Sequence, residues 1–173
     1  MVVMFDIETT GLDPYNSQVI LIGMKKRGEI RQWKLWEIGD EAEMILLAME
    51  EIKKAWENDE TIIGYNNLKF DVPFMLERLR ILGRAREEHW IIYRAKWFDL
   101  YQYLGNDYRR LDLWLSRAGI KRARPEIKGR DIPGFFARKE YDKIEAHNID
   151  DLNTSEKLFK YLKKANPELI PFD

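Results

Sequence analysis

Two acidic residues, Asp6 and Glu8, end the first apolar run of the sequence, in Phe-Asp-Ile-Glu-Thr-Thr-Gly-Leu-Asp. Residues 2–5 before them are typical of a strand buried on both faces. Side chains alternate along a strand, so both carboxylates point to the same face and repel each other. A hard divalent cation with oxygen ligands would compensate for the lost hydration. Solvation where the strand runs into a turn is the alternative, and these two residues alone leave both open.

A third acidic residue of interest, Asp71, lies at the start of a predicted helix, in Gly-Tyr-Asn-Asn-Leu-Lys-Phe-Asp-Val-Pro-Phe. The segment leading to it, residues 66–70, is long for a helix cap alone. It follows a predicted strand, and open α/β sheets place their sites at the carboxyl ends of strands. The alternative is that Asp71 only caps the helix.

The last predicted helix carries His147 and Asp151, which are four residues apart and therefore share one helix face. That face is otherwise an apolar stripe. A functional pair and a His–Asp pair on the helix surface are both compatible with this spacing. Asp150 lies about 100° around the helix from Asp151, so we expect its side chain to be solvated.

The elements that must position these residues follow from apolar periodicity and from turn residues. The predicted strands are 2–8, 18–25, 29–36, 61–65 and 96–99, the first three forming an antiparallel meander. The predicted helices are 41–57, 72–82, 111–118 and 139–164, and the stretch 124–134 is predicted to be a loop. Alternation of helices and strands in the second half predicts parallel neighbours in a mixed α/β domain.

Length and composition limit the class of protein and its location. The chain has 173 residues, of which 45% are hydrophobic, so we expect one domain, 1–173, with a sizeable core. The absence of cysteine excludes disulfides and thiolate metal sites and fits a cytoplasmic location. We expect no signal peptide before the strand at Val2, and no membrane association, since no apolar run approaches about 20 residues.

A net charge of −1 hides a basic segment, residues 108–130, with eight basic and two acidic residues. The basic side chains are Arg109, Arg110, Arg117, Lys121, Arg122, Arg124, Lys128 and Arg130, and the aromatic residues in or beside the segment are Tyr101, Tyr103, Tyr108 and Trp114. Such a pattern suits a nucleic-acid backbone and stacked bases. A solvated helix face is the alternative.

Together the three motifs resemble the DEDD family of 3′–5′ exonucleases, which includes the proofreading domains of DNA polymerases and many stand-alone nucleases. The motif that ends at Asp71 is most similar to the version in archaeal and eukaryotic family B polymerases. The resemblance covers nearly the whole chain, in the right order. It implies an α/β ribonuclease-H-like fold, with a mixed five-stranded sheet flanked by helices.

The resemblance also implies a site. The four carboxylates of Asp6, Glu8, Asp71 and Asp151 would hold two divalent ions, Mg²⁺ or Mn²⁺. One branch of the family has a Tyr four residues before the final Asp, and the other has a His five residues before it. Here His147 occupies the Tyr spacing, and we expect it to orient or deprotonate the attacking water or, alternatively, to bind a metal ion.

The residues implied to bind the terminal nucleotide flank the carboxylates on two sides. They are Thr9, Thr10, Gly11 and Leu12 on one side and Asn66 and Phe70 on the other. For Leu12 and Phe70, core packing is the alternative. We expect Asp99, at the end of the fifth strand, to support the site without taking part in catalysis.

The resemblance predicts a metal-dependent enzyme that hydrolyses DNA from the 3′ end, acts on single strands and releases 5′-mononucleotides, as in DNA repair. One alternative is an exoribonuclease of the same fold that trims RNA 3′ ends. Another is a non-catalytic ribonuclease-H-like module that binds nucleic acid. We expect any polymerase or helicase partner to be a separate chain, and the sequence leaves a homo-oligomer open.

Overall fold

A five-stranded mixed sheet forms the centre of the molecule in a computed structural model that describes residues 1–105 and 111–168. The strands are β1 (Val2–Thr9), β2 (Val19–Lys26), β3 (Glu29–Lys34), β4 (Thr61–Gly64) and β5 (Lys96–Asp99). Their order in the sheet is β3-β2-β1-β4-β5. β1, β2 and β3 are antiparallel neighbours, whereas β4 and β5 join in parallel. The predicted meander, the parallel second half and the α/β class are confirmed.

Helices cover both faces of this sheet. They are α1 (Leu35–Ile38), α2 (Glu41–Glu57), α3 (Asp71–Ile81), α4 (Leu100–Tyr103), α5 (Leu111–Arg117), α6 (Ile132–Ala137) and α7 (Tyr141–Ala165), with 3-10 helices at Glu87–Arg94 and Gly129–Asp131. Among the described residues, none of the helices has the length and apolarity needed to cross a membrane.

Two local predictions are wrong. The stretch 124–134 is not all loop, because it contains the second 3-10 helix and the start of α6. Pro133 stands in the first turn of α6, where its missing N–H costs nothing. Residues 35 and 36, predicted to extend the third strand, belong to α1 instead.

β1 is buried on both faces, as its apolar run predicts. Val3, Phe5 and Ile7 belong to the core cluster formed with α2 and α3. Met4 belongs to the cluster on the other face, with α7. Side chains alternate along the strand, so Asp6 and Glu8 follow Met4 and face α7.

Asp150 on α7 is buried, which contradicts the expectation that it is solvated. Its carboxylate accepts hydrogen bonds from the N–H groups of Ala123 (2.9 Å) and Arg124 (3.4 Å). A buried carboxylate needs such donors. Asp150 therefore attaches the chain segment after α5 to the helix that carries Asp151.

The loop after β1, residues 10–18, is fixed to α2 and α3. The guanidinium of Arg78 donates to the carbonyl of Pro14 (2.7 Å) and to both carboxylate oxygens of Glu41 (2.9 and 2.7 Å). Glu41 in turn accepts from the N–H of Val19 (2.8 Å). Both charged side chains are buried, so the pair forms a well-bonded anchor under the loop.

Candidate functional site

The structure brings four carboxylates together on one face of β1. Asp6 and Glu8 come from β1, Asp71 from the start of α3, and Asp151 from the middle of α7. Glu8, His147 and Asp151 each offer one ligand atom, and these atoms lie within 4.8 Å of one another. The charges of Asp71 and Asp151 act on both Asp6 and Glu8.

Asp71 joins this group because it points at β1 and does not cap its own helix. The Asp71 carboxylate accepts a hydrogen bond from the N–H of Ile7 (3.2 Å). The N-cap position of α3 is Phe70, which makes no side-chain cap bond, so the capping alternative is wrong. Asn67, fully buried, donates to the carbonyl of Phe5 (3.3 Å) and holds the preceding turn against β1.

Asn148 connects α7 to Asp6. Its amide nitrogen donates to Asp6 Oδ2 (2.8 Å), and its amide oxygen accepts from Gln32 Nε2 (3.0 Å). Gly23 lies opposite Asp6 in β2, and a Cβ there would clash with the Asn148 amide. The glycine is therefore required for the close approach of α7 to β1.

Burial and mutual repulsion disfavour the charged forms of these carboxyl groups. Burial, followed by the charge of Asp151, raises the pKa of Asp6 well above its ordinary value. Burial, followed by the charge of Asp6, does the same to the pKa of Glu8. Burial raises the pKa of Asp71 to about 7. A bound cation would therefore stabilise the charged forms of these carboxyl groups.

Arg122 supplies one such cation from the protein itself. Its guanidinium forms ion pairs with Asp151 and with Asp112 of α5, and it lies 3.7 Å from Asp150. Its side chain is only 11% exposed. Arg122 therefore offsets part of the negative charge of the cluster, and its charge also acts on Asp6 and on Glu8.

His147 lies at the edge of the cluster. Its Nε2 is 3.5 Å from Asp151 Oδ2 and faces the backbone at Gly129. Its Nδ1 is buried and has no hydrogen-bond partner among the described residues. Both predicted roles, positioning of water and metal ligation, are compatible with this placement.

The cluster fits a hard divalent ion. Most of its donors are carboxylate oxygens, which suit Mg²⁺ or Mn²⁺, and the His147 imidazole lies beside them. Within the described part of the chain, Glu8 Oε1 is buried without a hydrogen-bond partner. A buried carboxylate oxygen left in this state is costly, and a metal ion is a partner that would satisfy it.

A cavity of about 610 Å³ opens beside the cluster and holds several of the predicted substrate-binding residues. Thr9, Gly11 and Leu12 line it, together with Arg122, His147 and Asp151. Leu12 is 85% exposed, so the core-packing alternative is wrong for this residue.

The other predicted substrate-binding residues have structural roles, and for Phe70 this role is the core packing that the sequence left open as the alternative. The Thr10 hydroxyl accepts from the N–H of Gln18 (3.0 Å) and so closes the loop after β1. Asn66 adopts a left-handed backbone conformation in the turn after β4. Phe70 packs against the core and also lines a second cavity, which Leu12 shares.

Asp99 supports the site from the end of β5, as expected. Its buried carboxylate accepts hydrogen bonds from the N–H groups of Asn66 (2.8 Å), Leu68 (3.1 Å) and Tyr101 (2.9 Å). It thereby fixes the turn that leads to Asp71.

The basic segment 108–130 is only partly an exposed stripe. Tyr108, Arg109 and Arg110 lie outside the described residues. Arg122 turns into the acidic cluster, and Arg124 pairs with Glu126. Lys128 and Arg130 line the cavity beside Asp151, where they could meet a phosphate backbone.

Sequence reasoning missed the roles of Arg122 and Asn148. Arg122 has the same sequence signal as seven other basic residues, and periodicity does not tell which of them turns inward. Asn148 did carry a signal, because a buried amide next to His147 interrupts an apolar stripe and needs a polar partner.

Comparison with known proteins gives consistent matches. The sequence model of a family described as RNase_H superfamily matches residues 3–163. An uncharacterized protein of Methanocaldococcus jannaschii is 32% identical over 175 residues, covering 91% of this chain and 92% of that protein. DNA polymerase 2 of Aeropyrum pernix is 33% identical over 88 residues, which are 47% of this chain and 10% of the polymerase.

Two solved structures share the fold. The family B DNA polymerase of the archaeon Pyrobaculum calidifontis superimposes with a TM-score of 0.71 at 21% identity, covering 95% of this chain and 24% of the polymerase. A product-bound exonuclease I gives a TM-score of 0.64 at 13% identity, covering 97% of this chain and 44% of the exonuclease. The chain thus shares its fold with this polymerase and with this exonuclease, and it spans less than half of each.

We expect the stability of the metal-free protein to fall as the pH rises. The raised pKa values of Asp6, Glu8 and Asp71 mean that the folded protein holds protons that the unfolded chain has released. Between about pH 4 and about pH 7 the free energy of unfolding therefore decreases with pH. Melting in chelator at several pH values tests this, with Asp71→Asn as the control that flattens the curve. An identical pH dependence in both proteins would contradict the prediction.

We expect Arg122→Gln to destabilise the metal-free protein at neutral pH by about 3 kcal/mol, because the substitution leaves Asp151 without its cation. The same change should tighten Mn²⁺ binding, since a competing positive charge is gone. Denaturant unfolding in chelator and calorimetric Mn²⁺ titration measure the two effects. Arg124→Gln, which loses only an exposed pair with Glu126, is the matched control and should leave both the stability and the Mn²⁺ affinity of the parent unchanged. Weaker Mn²⁺ binding by Arg122→Gln would refute the competition.

Proposed function

The chain belongs to the RNase_H superfamily, and from this premise we propose that it is a metal-dependent 3′–5′ exonuclease. The proposed substrate is the 3′ end of single-stranded DNA, and the proposed product is a 5′-mononucleotide. The observation that carries the proposal is the convergence of Asp6, Glu8, Asp71 and Asp151 beside an open cavity. Four carboxylates held together against their own repulsion are unfavourable for folding and suit the binding of divalent ions.

The proposed metal ligands are these four carboxylates, with His147 at the edge of the group. These residues would hold two ions, whose chemistry would be to activate the attacking water and to stabilise the leaving 3′-oxygen. Mg²⁺ and Mn²⁺ are both suited to the oxygen donors. The support within the chain is the buried, unsatisfied Glu8 Oε1 and the raised pKa of three of the carboxyl groups.

The remaining steps belong to the side chains of the cavity. A neutral His147 imidazole can hold a water molecule or take its proton, a role worth about 10²–10⁴-fold in rate. Lys128 and Arg130 would attract the phosphate backbone. The exposed Leu12 can lie against the face of the terminal base, where Thr9 and Gly11 bring the backbone close.

One assay tests the proposal and its DNA specificity. Matched single-stranded DNA, duplex DNA and RNA carry a 5′ label and are incubated with Mg²⁺, with Mn²⁺ or with chelator. We expect a ladder that shortens from the 3′ end of single-stranded DNA only when a divalent ion is present. Cleavage of RNA alone would favour an exoribonuclease, and immediate release of labelled mononucleotide would show the opposite polarity.

Neutral isosteres of the carboxylates should abolish activity and leave the fold intact. We expect Asp6→Asn, Glu8→Gln, Asp71→Asn and Asp151→Asn each to lose at least about 10²-fold in rate, because each removes a charge that would hold the ions. Since burial penalises the charged carboxylates, Asp6→Asn should melt at or above the parent temperature in chelator. Asp13→Asn, in the exposed turn after β1, is the control. Undiminished cleavage by Asp6→Asn would exclude the proposed site.

His147→Ala should turn over about 10²–10⁴-fold more slowly than the parent while it retains Mn²⁺ binding, if the imidazole acts on water. His147→Tyr should recover part of the rate, because the related enzymes with Tyr at this spacing imply that a hydroxyl can orient the water. Single-turnover cleavage and calorimetric Mn²⁺ titration are measured on the same preparations. Collapse of Mn²⁺ affinity in His147→Ala would identify the residue as a ligand, and parental rates across pH would make it structural.

A further inference from the structure

A second cavity, of about 620 Å³, adjoins the carboxylate cavity across the loop after β1. Its floor is formed by α3, and its far wall is the 3-10 helix Glu87–Arg94. Leu12 lines both cavities, and Phe70, the residue before Asp71, lines the second one. A chain that ends at the carboxylates can therefore continue past Leu12 into this groove.

Two aromatic side chains of the 3-10 helix are exposed at the groove. Trp90 is 62% exposed and Tyr93 is 42% exposed. Their ring centroids are 5.6 Å apart and their planes differ by 21°, so the two rings stack. Exposed aromatic surface of this size is unfavourable in water and commonly marks a binding site.

The segment that presents these rings is firmly anchored. Ile92, between them in sequence, is completely buried, and its carbonyl accepts a hydrogen bond from Trp97 Nε1 (2.8 Å). His89 is buried and accepts from the N–H of Arg86 (3.1 Å). The exposure of Trp90 and Tyr93 is thus a fixed feature of a packed element.

The charge around the groove is mildly positive. Residues 80–94 contain four arginines and two glutamates. Lys69, Arg80 and Arg86 line the groove, opposed by Glu77 and Glu87. Stacked aromatic rings with a modest excess of basic side chains are typical of surfaces that bind single-stranded nucleic acid with little sequence preference.

We propose that this groove binds single-stranded nucleic acid, with the bases upstream of the reacting 3′ end stacked on Trp90 and Tyr93. The inference rests on the proposed function, because its orientation assumes that the 3′ end lies at the carboxylates. Leu12 separates the terminal nucleotide from those that follow it in the groove. The groove, and not the basic segment alone, then provides affinity for longer strands.

The experiment compares binding with cleavage in the full-length protein. Binding is followed by fluorescence anisotropy of 5′-labelled oligothymidylates of increasing length in chelator, where no cleavage is expected. Cleavage in Mn²⁺ compares an oligothymidylate with the p-nitrophenyl ester of thymidine 5′-monophosphate, which is too short to reach the groove. Two double variants test the aromatic pair: Trp90→Ala with Tyr93→Ala, and Trp90→Phe with Tyr93→Phe, which keeps an aromatic ring at both positions. The control is a third double variant, Trp56→Ala with Tyr161→Ala. It removes two exposed aromatic rings that line neither cavity.

We expect the double alanine variant to bind the longer oligothymidylates at least about fivefold more weakly than the parent, because base stacking is lost. Its ratio of oligonucleotide to ester cleavage should fall in parallel. The double phenylalanine variant should recover most of the affinity, and the Trp56 and Tyr161 control should match the parent. Melting curves establish that all variants are folded.

Equal affinity and an equal cleavage ratio in the parent and the double alanine variant would overturn the inference. The exposed aromatic pair would then have to bind a partner other than nucleic acid. The two proposals fail separately. A parent that binds through the aromatic pair but never cleaves would refute the exonuclease and retain the groove. A parent that cleaves with no dependence on the pair would retain the exonuclease and refute the groove.

Discussion

Electrostatic repulsion among four carboxylates on one face of β1 is the constraint on which the rest of the structure depends. Burial makes it worse, because the low dielectric of the interior strengthens repulsion and removes hydration. Two hydrogen bonds and one ion pair offset part of this repulsion. The N–H of Ile7 donates to Asp71, the Asn148 amide donates to Asp6, and the Arg122 guanidinium pairs with Asp151. These contacts reduce the repulsion without removing it, because the pKa values of Asp6, Glu8 and Asp71 remain raised.

The sheet makes room for these contacts at two glycines on either side of β1. A Cβ at Gly23 in β2 would clash with Asn148, and a Cβ at Gly64 in β4 would clash with Asn67 and with the carbonyl of Phe5. Both neighbours are amides that position a carboxylate. Since interiors are packed as densely as crystals, an added methyl group could be accommodated only by moving the amide away. The positions of the carboxylates therefore depend on the absence of a side chain at Gly23 and Gly64.

Periodicity predicted most of the fold, and it predicted which faces carry the acidic residues. The bounds of α2, the burial of β1 on two faces and the common direction of Asp6 and Glu8 follow from local sequence, because alternation is a local property. Contacts between segments that are distant in sequence cannot be predicted in this way. Asp150 looks solvated from its place on a helical wheel, but the segment after α5 folds over it and supplies two N–H donors. The inward direction of Arg122 and the exposure of Trp90 and Tyr93 likewise depend on tertiary contacts, which local sequence does not predict.

The buried pair of Glu41 and Arg78 joins the loop after β1 to the two helices of the main core. Through the carbonyl of Pro14 and the N–H of Val19, this one ion pair holds the middle and the C-terminal end of the loop that displays Leu12. We expect such a loop to open together with α2 and α3 and not by itself, because these contacts join the three segments. We then expect the surface beside the carboxylates to persist at elevated temperature for as long as the core beneath it, with a lifetime set by the rate of global unfolding.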